Sequence, residues 1–194
     1  MYFLVFLLLF MALAASVVRK GRFAVGAKIF RILVVLCSVA LFTYLFIDKS
    51  VSKFLKDSLT VQIINKLPQP LDFYLVKIDS SKTAQQPYQI THPGKIRTDH
   101  YRLEYLKMDE SNEFWVAGYL GKKQMVYFSQ HSVPNKNQDQ IIEVQNYINQ
   151  SLKLSEVAKT QIDAVNFHNM IRSIWITLSF LLLFLNIVLI VRRK

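Results

Sequence analysis

The chain has 194 residues, about one domain's worth, with 52% hydrophobic side chains and a formal net charge of +11. All 13 Asp and Glu fall between Asp48 and Asp163, whereas nine Lys and Arg stand outside that stretch with no acid among them. The middle of the chain is therefore nearly neutral, which argues against nucleic-acid binding. The excess sits at the ends of apolar runs, where basic residues set membrane orientation.

Tyr2 to Val18 carries no charge and is long enough to cross a hydrocarbon core of roughly 30 Å. Its end, Ala12-Leu13-Ala14-Ala15-Ser16, resembles a leader cleavage site. No basic residue precedes the run, however, and cleavage would strand Arg19, Lys20 and Arg22 on the outer side. A retained helix is expected. The basic loop 19–28 follows, and then a second apolar run over 29–47, with Arg31 expected to snorkel its guanidinium to the interface. Cys37, inside this run, is the single cysteine. It reads as a small packing residue, and it rules out an internal disulfide or a thiolate metal site.

Asp48 to Lys56 reads as a short amphipathic extension, and from Leu59 the pattern turns to strand. Strands are expected at Leu59–Asn65 and Asp72–Ile78, with a short edge strand near Tyr88–Thr91 after a polar connection. In Tyr101–Met108 the residues Tyr101, Leu103 and Tyr105 alternate with Arg102 and Glu104, a half-buried strand pattern; alternating aromatics are expected mainly in the core, with some of the unit's aromatics facing a partner protein. Phe114–Leu120 and Gln124–Gln130 read as a hairpin around Gly121. Strands this short and closely spaced suggest a small sandwich or half-barrel.

Helical period is expected from Asn137, where Asn137 and Gln140 resemble a capping box ahead of Ile141, Val144, Ile148 and Leu152. A second run places Ala158, Ile162, Val165 and Asn169 on one face and continues into a third apolar stretch, Ser173 to Val191, followed by a basic tail. The expected class is membrane α plus β. Three transmembrane helices carry a β-sandwich-like extracytoplasmic domain between helices 2 and 3, with a long helix leading into helix 3. The parts are a hairpin over 1–47 (spans about 2–18 and 29–47), a β-rich domain over 48–136, a helical segment over 137–170 and a final span with its tail over 171–194. Loop 19–28 and the tail 192–194 then face the cytoplasm, and the N-terminus and residues 48–170 face outward. A bacterial inner membrane with a periplasmic domain is the simplest setting.

Signs of chemistry are few. His92, His100, His131 and His168 show no helical metal-ligand spacing, and Met108 and Met125 are too scattered for a copper loop. There is no Gly-x-Ser-x-Gly elbow, and only 5 glycines serve the whole chain. Asn149-Gln150-Ser151 matches a glycosylation acceptor but lies in the helical pattern. No catalytic, cofactor or metal residue is nominated. The candidate contacts are Asn186, an amide deep in the last span, Trp175 at an expected interfacial belt, and Trp115 among the aromatics of the β-rich domain. The expected role is a non-catalytic accessory or scaffolding subunit whose partners are other integral membrane subunits and the lipid bilayer. A sensor or ligand-binding regulator signalling through a partner membrane protein stands second. Neither nucleic acid nor a small-molecule substrate is expected.

Overall fold

A computed structural model describes residues 2–17, 22–51, 58–79, 88–108, 111–121 and 123–192. The chain divides into two compact units, one formed by Met1–Ser52 with Phe167–Lys194 and the other by Lys53–Asn166.

The helical unit contains α1 (Tyr2–Ala15), α2 (Arg22–Val51) and the later part of α3 (Leu152–Val191). The apolar stretch Phe23–Ile47 of α2, and α3, are each long and apolar enough to cross a membrane; α1, with 14 residues, is shorter. At about 1.5 Å per residue α1 measures roughly 21 Å. Val5, Leu9 and Ala12 of α1 pack with Val34 and Val35 of α2 and Leu183 of α3. Phe42 stacks on Phe180 at 4.3 Å between ring centroids, and Trp175 meets Phe3 and Phe6 edge-on at 5.0 and 5.3 Å. Trp175 thus holds α1 against α3. The helix α2 starts earlier than the expected 29, at Arg22, and the proposed extension beyond Val51 lies outside the described residues.

The β-rich unit has two sheets. Strands β1 (Leu59–Asn65), β4 (His100–Leu106) and β7 (Gln140–Val144) form one, in the order β4-β1-β7. Strands β2 (Leu71–Ile78), β3 (Tyr88–Ile96), β5 (Glu113–Leu120) and β6 (Gln124–Ser132) form the other, in the order β3-β2-β5-β6. Val61 and Ile63 of β1 and Ile142 and Val144 of β7 share one buried cluster with Leu71, Phe73 and Leu75 of β2 and Phe114 and Val116 of β5. That cluster draws on both sheets. Strands β2 and β5 are buried almost end to end because the four-stranded sheet is covered a second time. Ala158 and Ile162 of α3 close over Tyr74, Val76, Trp115, Ala117, Tyr119 and Phe128. These two residues lie on the helix stripe expected from the sequence.

The helical segment expected from Asn137 is corrected. Gln140–Val144 is strand β7, parallel to β1, and α3 begins only at Leu152. Ile141 and Val144 satisfy a helical spacing, but Ile142 and Val144 satisfy a strand alternation as well, and a run this short fits both. The open edge of β1 decides between them, since pairing there satisfies backbone groups and puts Ile142 and Val144 into the core. The supposed capping Asn137 instead donates its N–H to Asn135 Oδ1 at 3.0 Å in a turn. The N-cap of α3 is Ser151, whose Oγ accepts the N–H of Leu154 at 3.3 Å. Asn149 of the sequon bridges to Phe128 of β6 and bonds Ser155 Oγ.

Candidate functional site

Each layer of the β-rich unit covers its neighbour except on one side. The four-stranded sheet is packed on both faces, whereas the three-stranded sheet has a single covered face among the described residues. On β1, Leu59, Val61, Ile63 and Asn65 point inward. Their β4 partners are Leu106, Glu104, Arg102 and His100, so polar residues of β4 take the inward parity. The outward parity holds Tyr101, Leu103 and Tyr105, which are 61%, 45% and 52% exposed. This reverses the expected burial of that alternation. Ile141 of β7 stands on the same outward face, 65% exposed, across Gln62 from Leu103. Half-buried Ile64 completes the patch. A sheet face turned to water ordinarily carries polar side chains; this one carries two tyrosines, a leucine and two isoleucines alongside Thr60, Gln62 and Glu143.

The register is firmly held from the inner side. Asn65, fully buried, donates from Nδ2 to Gln69 O and Ile96 O and accepts the N–H of Leu67. Arg102 Nη1 donates to the carbonyl of Pro93 on β3. A one-residue slip of β4 would break the Arg102 tie and turn the aromatics inward.

The remaining aromatics lie mainly in the core. Phe73, Tyr74, Phe114, Trp115, Tyr119, Tyr127 and Phe128 are buried. Trp115, nominated as a partner contact, is 3% exposed and donates Nε1–H to Glu113 Oε1 at 2.6 Å. It is corrected to a core residue, packed against Tyr88 and Phe128. Burial raises the Tyr119 hydroxyl pKa, reinforced by the carboxylate of Asp163 and by Tyr74.

The histidines occupy separate environments. Two residues of β3, His92 and Pro93, oppose Tyr74 alone in a bulge, and Gly94 follows with φ 90°. The bulge lays His92 on the Tyr74 ring at 4.2 Å, with Nε2 2.8 Å from Asp72 Oδ1. Tyr74 Oη accepts from Asn166 of α3 at 3.2 Å, and burial raises its pKa. His100 Nδ1 bonds Thr98 O, and His131 lies on Phe114 with Nε2 2.8 Å from Ser129 Oγ. No group of three potential metal ligands occurs among the described residues.

Burial lowers the pKa of His131. Because the folded value lies below the unfolded one, the unfolded chain binds more protons as pH falls through about 6.5. This contribution to stability is complete above that pH and is lost progressively below it. Thermal unfolding from pH 7 to 5 is expected to show a drop in midpoint that is smaller in His131→Gln.

In the helical unit, Arg31 does not snorkel. It is 4% exposed and donates Nε–H to Asn186 Oδ1 at 3.1 Å and Nη2–H to Asn186 O at 2.7 Å. Asn186, 0% exposed, in turn donates from Nδ2 to Leu9 O of α1 at 3.1 Å and to Leu182 O at 3.0 Å. One amide therefore joins all three helices. An apolar groove of ≈ 350 Å³ runs between α1 and α2, lined by Leu4, Leu8, Phe30, Leu33 and Cys37 among others.

No family model, curated protein or solved structure matches the chain.

Proposed function

We propose that the chain is a non-catalytic accessory or scaffolding subunit of a larger membrane protein complex, presenting its β-rich unit outside the cytoplasm for protein–protein contact. The observation that carries this reading is the uncovered face of the three-stranded sheet, where Tyr101, Leu103, Tyr105 and Ile141 stand exposed. Tyr is enriched at protein interfaces because it brings a large apolar ring with a polar tip. A contiguous exposed apolar patch on a small unit marks an interaction site more often than chance. An exposed sheet face favours a protein partner over the concave pocket that a sensor of small ligands requires.

In this reading α1, α2 and α3 all span the bilayer, and the two sheets form a sandwich. The tie from Asn186 to the Leu9 carbonyl supports α1 as a third span, since it places α1 beside the two longer apolar helices. The apolar exteriors of the helices, including Phe10, Leu36, Phe46, Leu181 and Phe184, are exposed as lipid-facing residues are. The basic residues at 19–28 and 192–194 support a reading with those sites in the cytoplasm and residues 48–170 in the periplasm of a bacterial inner membrane.

Purification of the tagged full chain in mild detergent tests the proposal. A particle far heavier than the 22.6 kDa chain plus detergent, with other membrane proteins at fixed stoichiometry, is expected. A chain recovered alone, with Leu103→Lys changing nothing in its composition or mass, would remove the subunit reading.

A further inference from the structure

We propose that the sheet face carrying Tyr101, Leu103, Tyr105 and Ile141 seats a second copy of this chain, about a two-fold axis running along β1. The inference rests on the reading of that face as a protein interface and names its occupant. It is derived from the strand register. Across the outward face, Leu103, Gln62 and Ile141 form one row, and Tyr101, Ile64 and Glu143 form the next. Tyr105 and Thr60 make the third.

A two-fold axis along β1 exchanges the two flanks of that strand. Leu103 then meets the second copy's Ile141, apolar on apolar. Gln62 meets Gln62, and a primary amide can donate to and accept from another. Ile64 meets Ile64. Tyr101 meets Glu143, a phenol hydroxyl facing a carboxylate, and the same contact repeats on the other side of the axis. Glu143 is exposed, and Gln145 takes one of its oxygens at 2.9 Å, which leaves the other oxygen to accept. An isologous interface needs each flank to complement the other. This face meets that condition in the two rows that span all three strands, with its acid level with the phenol rather than with another acid. Sheets packed face to face lie about 10 Å apart with strands within about 30° of alignment, so the rows can meet.

The size of the face sets the conditions for its detection. Taking roughly 200 Å² for a large exposed residue, the four exposed residues offer about 450 Å² of accessible surface per copy. A standard interface buries about 800 Å² on each side. The face alone therefore supports a weak dimer, which a cross-linking readout captures better than a mass alone. The full chain in membranes is the right material.

In a Cys37→Ala background, Gln62→Cys places two thiols on the axis, and Lys159→Cys on the exposed side of α3 is the control. A bifunctional maleimide whose spacer matches the roughly 10 Å between packed sheets, too far for a direct disulfide, is expected to give a band at twice 22.6 kDa for Gln62→Cys in membranes and none for Lys159→Cys. Leu103→Lys is expected to weaken self-association by about 100-fold, through burial of an unpaired charge against Ile141. Adding Ile141→Glu should restore most of it, because each Lys then meets a Glu of the other copy. Both positions are exposed, so unchanged unfolding midpoints will confirm that the variants fold. Absence of cross-linking above the control, with a monomeric chain in detergent, would overturn both the dimer and the interface reading. One copy of this chain bound to a different chain through the same face would overturn the dimer and leave the accessory-subunit reading standing.

Discussion

Ile142→Ala is expected to destabilise the β-rich unit by about 3 kcal/mol, while Ile141→Ala changes its stability by less than about 0.5 kcal/mol. The two residues are neighbours of one type, so the contrast isolates what the strand does with each. Ile142 is 4% exposed and packs with Val61, Ile63, Phe114 and Val116 between the two sheets. Truncation there loses the transfer free energy of three carbons and leaves a void lined by β-branched and aromatic side chains that collapse poorly. Ile141 is 65% exposed, so its truncation removes little buried area. A helix over this segment would reverse the order, because its apolar stripe runs through Ile141, Val144 and Ile148. Thermal unfolding of the full chain at low concentration, where mass action removes any contribution of self-association, gives the comparison. Equal costs at both positions, or a larger cost at Ile141, would refute strand β7.

The same segment shows why part of the fold was legible and part was not. Strand β1 was readable to the residue because Leu59–Asn65 alternates buried and half-buried side chains between clear breaks. Strands β2 and β5 were readable for the opposite reason: both faces are covered, and Phe73 to Val76 and Phe114 to Ala117 are unbroken apolar runs. Strand β7 is five residues long and pairs with a strand some eighty positions earlier, so nothing local separates it from one turn of helix. Its assignment depends on an unfilled edge that exists only in three dimensions.

The candidate surface failed to show itself through another ambiguity. Alternation in Tyr101–Leu106 identifies a strand but not which parity points inward, and burial of the apolar set was the natural expectation. The inward parity instead lies toward the margin of the core, where Arg102 reaches Pro93 O and His100 and Glu104 stay near solvent. A signal was present in the sequence: Glu104 and Leu106 share one parity, so that side of the strand runs from charged to apolar. Trp115 misled for the reverse reason. Tryptophan enrichment at interfaces is a statistical tendency, and the Glu113 carboxylate satisfies this indole inside the unit. Asn186 was the more informative residue. An amide in an apolar helix needs partners, and sequence supplied the need but not the identity of Arg31 or of the Leu9 carbonyl.

Asn186→Leu is expected to destabilise the helical unit by about 2–4 kcal/mol, and Arg31→Leu added to it is expected to recover a large part of that loss. Neutral interhelical hydrogen bonds in membranes are worth only about 0.6 kcal/mol on average, reaching roughly 1.7. Bonds to a charged group contribute more, about 1.5–3 kcal/mol; the Asn186 side chain accepts one from the Arg31 guanidinium, and the second, to the Asn186 backbone carbonyl, survives the change. Leucine fills similar space but offers Arg31 no side-chain acceptor and leaves the Leu9 carbonyl without its donor. Replacing one member of a buried polar pair costs more than replacing both, because the remaining group keeps its desolvation penalty. The double variant should therefore be less destabilised than the sum of the singles by more than about 1 kcal/mol. Unfolding of the purified full chain in detergent, followed by helical circular dichroism, measures all three. Simple additivity would mean that the guanidinium leaves the helix junction once Asn186 is gone, as the snorkelling expected from sequence allows. A large positive coupling would establish that Arg31 and Asn186 are held between the helices, and that the first helix owes its position to the amide that joins them.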